Sequence, residues 1–137
     1  MNAVGTLQQH GFRRGAELQW RESEAEPDFK FVASDPALWA DKQVIFAIVD
    51  AQDDQTLFVG PTGQRVGSRL GDLGRWLNGK RKDDCETPVR YAWLDRLKTC
   101  KPGTIEVWSK ASVAERTQRD IEATRWIALL QPPLNRR

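Results

Sequence analysis

This sequence of 137 residues predicts an α+β fold, a small antiparallel three-stranded sheet flanked by helices. Three features predict it. Residues 44–49, Val-Ile-Phe-Ala-Ile-Val, form an unbroken β-branched and aromatic run, and Thr56-Leu57-Phe58-Val59-Gly60 returns after a polar loop, the pattern of a buried hairpin. Val66, Leu70, Leu73 and Leu77 then recur at steps of four, three and four, which is one face of a helix. A last apolar helix must stop at Pro132-Pro133, because proline carries no donor and restricts the residue before it.

Taken in order, residues 16–21 and 28–32 suit short strands with Trp20, Phe29 and Phe31 facing inward. Ser34-Asp35-Pro36 is a turn that opens a short helix through Trp39, with Pro36 at the first helical position. After the hairpin, Pro61-Thr62-Gly63 is expected to break the second strand. The helix from Val66 to Leu77 closes at Asn78-Gly79. Gly67, Gly71 and Gly74 each weaken it by about 1 kcal/mol relative to alanine, so packing must compensate or a close backbone approach is wanted. Thr87-Pro88 offers a cap and a first-turn proline to a second helix, which lines up Val89, Trp93 and Leu97 and ends before Pro102-Gly103. Thr104 to Trp108 alternates polar and apolar, which predicts a half-exposed third strand. Ser112 and Glu115 have the spacing of a capping box and announce the final helix, running to about Leu130.

The chain is long enough to bury a core without staples, and six Trp and five Phe supply bulky material for it. Cys85 and Cys100 lack metal-site spacing and His10 is the only histidine, which excludes a zinc centre. No run has signal-peptide or membrane-span character, so a soluble cytoplasmic protein without a membrane partner is expected. The net charge of +2 says little, but between residues 61 and 82 Arg65, Arg69, Arg75, Lys80, Arg81 and Lys82 face a single acid, Asp72. That is a basic footprint suited to phosphates, or else a solvated face. Acid collects around Glu17, Glu22, Glu24, Glu26 and Asp28, and again at Asp50, Asp53 and Asp54.

With the order strand, strand, helix, helix, strand, helix, four landmarks resemble the GIY-YIG nuclease superfamily. That superfamily includes homing endonucleases, some restriction enzymes and the incision subunit of bacterial excision repair. Val44-Ile45-Phe46 stands where the family has Gly-Ile-Tyr, and Phe58-Val59-Gly60 where it has Tyr-Ile-Gly. Arg69 matches the family's catalytic arginine once one residue is inserted after Gly60. Glu122 and the closing Pro132-Pro133-Leu134-Asn135 match its metal-binding glutamate and terminal asparagine. The resemblance covers residues 42–137 as a GIY-YIG-like domain and leaves 1–41 as an N-terminal extension that could add short strands.

The resemblance implies roles. Glu122 would hold one Mg²⁺ or Mn²⁺, Arg69 would clamp the scissile phosphate, and Asn135 would orient the site or assist the metal. Arg65, Arg75, Lys80, Arg81 and Lys82 would track the nucleic acid, and no organic cofactor is needed. The chain departs from the pattern in two ways. Phe46 and Phe58 occupy the positions of the catalytic tyrosines, so the rings are kept and the phenolic oxygens that position or deprotonate water are lost. Glu122 stands one residue early relative to Asn135, where Ala123 would be expected, and one residue is about 100° of helical rotation. Tyr91, the only tyrosine, is the candidate substitute phenol.

Plainer readings stand beside these. Glu122 can pair with Arg119 or Arg125 at three-residue spacing, Arg69 can be an exposed helix charge, Phe46 and Phe58 can be core, and His10 has no role. Two functions follow: a metal-dependent endonuclease acting on double-stranded DNA with an altered water-activating system, or a GIY-YIG-like module that binds nucleic acid without turnover. A third is a protein-interaction domain indifferent to DNA.

Overall fold

In the computed structural model, which describes residues 3–21, 28–80 and 88–135, the run from Val44 is buried along its whole length. Helix α1 (Ala3–Gln9) leads into strands β1 (Arg13–Gln19) and β2 (Lys30–Ala33) and the short helix α2 (Pro36–Ala40). The hairpin of β3 (Val44–Asp50) and β4 (Gln55–Thr62) follows. Then come α3 (Val66–Leu77), α4 (Pro88–Leu97), β5 (Ile105–Ala111), α5 (Arg116–Leu130) and a closing 3-10 turn, Pro133–Asn135. Asp35 caps α2 by accepting the Ala37 N–H at 3.0 Å, which explains why the Asp-Pro pair starts a helix.

The fold class is α+β, but among the described residues the sheet has five strands and not three, in the order β2-β1-β5-β3-β4 with every pairing antiparallel. The added strands come from the N-terminal region. β1 pairs with β5 from Arg13 opposite Ser109 to Leu18 opposite Ile105. That pairing corrects the expectation of a half-exposed third strand. β5 is the central strand, and its polar Glu106 meets the Arg14 guanidinium of β1 at 3.2 Å. β4 also runs on through Pro61 to Thr62, which is possible because β4 is an edge strand and loses no ladder bond at a proline.

Cross-strand partners project to the same face of a sheet, so consecutive residues of β3 feed two cores. Phe46 and Ile48 join Val107, Leu70, Leu73, Trp93 and Leu97 beneath α3 and α4. Ile45, Ala47 and Val49 join Trp108, Leu7, Ala123 and Trp126 beneath α5 and α1. A strand covered on both faces is what an unalternating apolar run requires.

The α3 glycines separate on inspection. A Cβ at Gly67 would stand 2.2 Å from the Trp39 indole nitrogen, so this glycine is where α2 packs onto α3, whereas a Cβ at Gly71 would meet nothing within 4 Å. The expected capping box is replaced by a different cap. Glu115 itself caps α5, its carboxylate accepting the N–H groups of Thr117 and Gln118 at 3.1 and 2.7 Å, bonds that hold its pKa below the ordinary value. Ser112 instead donates its hydroxyl to Glu122 at 2.6 Å. Gln131, in the left-handed region with φ 48°, turns the chain out of α5 into the prolines. The Thr87 cap, Cys85, Arg81, Lys82, Glu22, Glu24 and Glu26 lie outside the described residues. Among the described residues no helix is long and apolar enough to cross a membrane.

Candidate nucleic-acid interface

The two signature strands bring their phenylalanines together because of the ladder. Phe46 stands opposite Gly60 and Ile48 opposite Phe58, so both rings lie on the α3 and α4 face. Their centroids are 5.9 Å apart. Gly60 makes room for them: a Cβ there would come to 2.9 Å from Phe58 Cε2 and 3.5 Å from Phe46 Cε1. Arg69, in the first turns of α3, lays its guanidinium over the Phe46 ring at 5.6 Å from the centroid. Phe46 is 1% exposed, so its ring is core, while Phe58 and Arg69 are half-buried and line an open cleft of about 450 Å³.

Asn135 lines the same cleft, and its amide makes two bonds. Oδ1 accepts the Val59 N–H at 2.8 Å and Nδ2 donates to the Val59 carbonyl at 2.7 Å. The outward groups of an edge strand are thus matched by a side chain in the way a sixth strand would match them. Pro132 and Leu134 are buried beneath this clasp, so the Pro-Pro exit serves to deliver Asn135 to β4.

Glu122 is placed differently. Its Oε1 accepts from Ser112, and its Oε2 lies 3.6 Å from Lys110 Nζ, which also sits over the Trp126 ring. Lys110 stands opposite Ile45 on β5, and Ile45 faces the α5 core. Glu122 therefore approaches the sheet from the α5 face and Arg69 from the other. They meet the same end of the sheet, beside the adjacent residues Ile45 and Phe46, where Arg119 Nη2 of α5 comes within 2.9 Å of the position a Cβ would take at Gly63, just before α3. The helical partners expected for Glu122 are not the ones it takes. Arg119 is buried and donates to the carbonyls of Val113 and Ala114, both at 3.0 Å.

Among the described residues no group of three acidic, histidine or cysteine side chains could wrap a metal ion. What Glu122 offers is one carboxylate, 27% exposed, in a depression shared with Gln118, Arg125 and His10, with an Oε2 that stays beyond hydrogen-bond length from Lys110. This fits a hard ion that keeps most of its waters and takes a single protein oxygen, and it fits no ion that needs a full protein cage.

The other predicted residues are dispersed. Arg65, Arg75 and Lys80 are exposed along and beside α3, with Arg75 paired to Asp72. Tyr91 is 45% exposed and lies two residues before buried Trp93, about 200° around α4, so it does not line the cleft. His10 packs edge-on to Trp126 at 5.1 Å.

Sequence reasoning missed two groups. The first is the aromatic wall of the cleft: Trp93 lies 5.2 Å from Phe58 and 5.8 Å from Trp76, the last an edge-to-face contact. Trp76 sits three residues after Leu73 on α3, a spacing that would have flagged it. The second is a buried network at the far end of β3. Asp50 accepts from Arg96 Nη2 at 2.8 Å and from the N–H groups of Gln52 and Asp53, and the Cys100 thiol points to it at 3.6 Å. Burial raises the Asp50 carboxyl, but the Arg96 bond, the Asp53 N–H and the guanidinium charge outweigh it and hold its pKa below the ordinary value. Burial and the Asp50 charge push the Cys100 thiol up.

In sequence, no protein-family profile matches the chain. No curated protein matches it either. In structure, a mutant of EndoII from bacteriophage T4 shares the fold with a TM-score of 0.68 at 19% identity, covering 99% of this chain and 100% of that one.

Proposed function

We propose that this chain is a divalent-metal-dependent endonuclease of the GIY-YIG type, acting on double-stranded DNA in the cytoplasm. The observation that carries the reading is a fold shared along its whole length with EndoII, in which Arg69 lies beside Phe46 on one face of the sheet and Glu122 beside Lys110, the partner of Ile45, on the other, each in its own depression. Arg69 supplies a planar fork that matches two oxygens of a phosphate and meets charge as it develops there. Glu122, oriented by the Ser112 hydroxyl, would hold Mg²⁺ or Mn²⁺. Such an ion, when bound, polarises a phosphoryl oxygen and acidifies a water. Asn135 acts at one remove, fixing Val59 between Phe58 and Gly60 and so fixing the wall against which Arg69 lies. Arg65, Arg75 and Lys80, with Arg81 and Lys82 beyond them in sequence, add phosphate contacts that make affinity fall with salt.

A second reading, a binding module without turnover, is favoured by one observation: the cleft has no phenol, since Phe46 and Phe58 replace both tyrosines and Tyr91 faces elsewhere. Supercoiled plasmid incubated with the protein and Mn²⁺ separates the two. The enzyme reading expects nicking that drops roughly 100-fold in both Arg69→Ala and Glu122→Ala. Salt-sensitive binding without nicking replaces it by the module, and indifference to DNA at all salt concentrations removes both.

A further inference from the structure

The cleft beside Arg69 is larger and more aromatic than a phosphate clamp requires. We propose that it receives one unpaired nucleobase, stacked against Trp76 and Phe58, with the adjoining backbone phosphate on Arg69; this rests on the nucleic-acid reading above. Its volume of about 450 Å³ falls in the range of small-ligand pockets, roughly 300–1,000 Å³, and exceeds what a phosphate group fills. Its wall is a train of rings. Trp93, 2% exposed, is a fixed floor held between Phe58 and Trp76, and the half-buried Phe58 and Trp76 present ring surface to the opening. Rings of this kind accept any base through its π-face.

Polar groups are few and sit at the rim. Asn135 spends one bond of its carbonyl oxygen and one of its amino group on Val59. The paired edge of this amide is thus taken up by the strand, so it marks the rim of the cleft and leaves base recognition to the rings. Asp72 also lines the cleft and is paired with Arg75. A purely apolar ligand would use the rings alone, while a phosphate alone would use the guanidinium and leave the rings wet. A nucleotide with its base unpaired uses both, and a base inside a duplex cannot reach the rings without leaving its stack.

The test uses the full chain in EDTA, so that no cleavage intervenes, with oligonucleotides carrying one 2-aminopurine in three settings: single-stranded, paired in a duplex, and bulged from a duplex. The bulged and single-stranded forms are expected to bind about ten-fold tighter than the paired duplex, with 2-aminopurine emission quenched on binding. Trp76→Ala is expected to bring the affinity for the bulge down to that for the paired duplex, and Trp76→Phe, which keeps a ring, to restore most of the difference. Equal affinity for paired and bulged duplexes, or a difference that survives Trp76→Ala, overturns the base site while leaving the nucleic-acid reading in place. Failure to bind any of the three overturns both.

Discussion

The two faces of the sheet each carry an acid matched to a base, and the pairs are of different kinds. Under α4, Asp50 is 2% exposed and is fixed by Arg96, by two backbone N–H groups and by a thiol. Under α5, Glu122 is partly open to solvent, with Lys110 at 3.6 Å and a single hydroxyl at its other oxygen. The first arrangement leaves the carboxylate no valence for anything else and belongs to the architecture. The second leaves an oxygen available at a depression, which is the condition a ligand requires. A charged residue is thus assigned to structure or to function here by how completely its neighbours use it.

The sharpest way to break this contrast is to remove both acids in turn. Asp50→Ala leaves Arg96 without its main partner in a largely buried place and is expected to cost about 3 kcal/mol in denaturant unfolding. Glu122→Ala is expected to cost less, about 1 kcal/mol, because its pair with Lys110 is partly open to solvent. Equal costs would erase the distinction. Acid adds a second probe. Because the folded pKa of Asp50 lies below its unfolded value, near 4, its contribution is complete above that value and is lost as the pH falls through the lower, folded one. The acid limb of the stability profile is therefore expected to flatten in Asp50→Asn.

A smaller effect tests the seam between the faces. Asn135→Ala unmakes two bonds to Val59, and the expected cost is about 2 kcal/mol, with faster amide exchange at Val59. A cost near zero would mean that Asn135 is there for the ligand alone. The smallest test compares two positions on α3. Gly67→Ala must move the Trp39 indole and is expected to destabilise, whereas Gly71→Ala meets open space and is expected to stabilise by about 0.5–1 kcal/mol. Thermal melts of the two variants should shift in opposite directions.

What the sequence disclosed was the local part of this. The apolar run of β3, the four-residue beat of Val66, Leu70, Leu73 and Leu77, and the proline stop after α5 are short-range patterns, and each appears where it was expected. Reading failed where a partner is distant. Nothing near β5 announces that β1, some ninety residues earlier, will cover it, so its alternation alone reads as exposure. Ser112 and Glu115 have the spacing of one motif, yet the Ser112 hydroxyl goes to Glu122, ten residues on. Asp50 reads as the start of a polar loop because Arg96, 46 positions away, is invisible from it. For the candidate site, the sequence named residues singly, and only the ladder register tells that Arg69 and Glu122 come from opposite faces.

The clasp at Val59 has a consequence for handling the protein. β4 is a border whose outward amide and carbonyl are silenced by a side chain and whose next outward position is a proline without a donor. A truncation upstream of Pro132 would strip that seal and bare a length of strand able to recruit a second chain. Shortened versions of this protein should be judged first by whether they stay monodisperse, before any loss of nucleic-acid binding is ascribed to the residue removed.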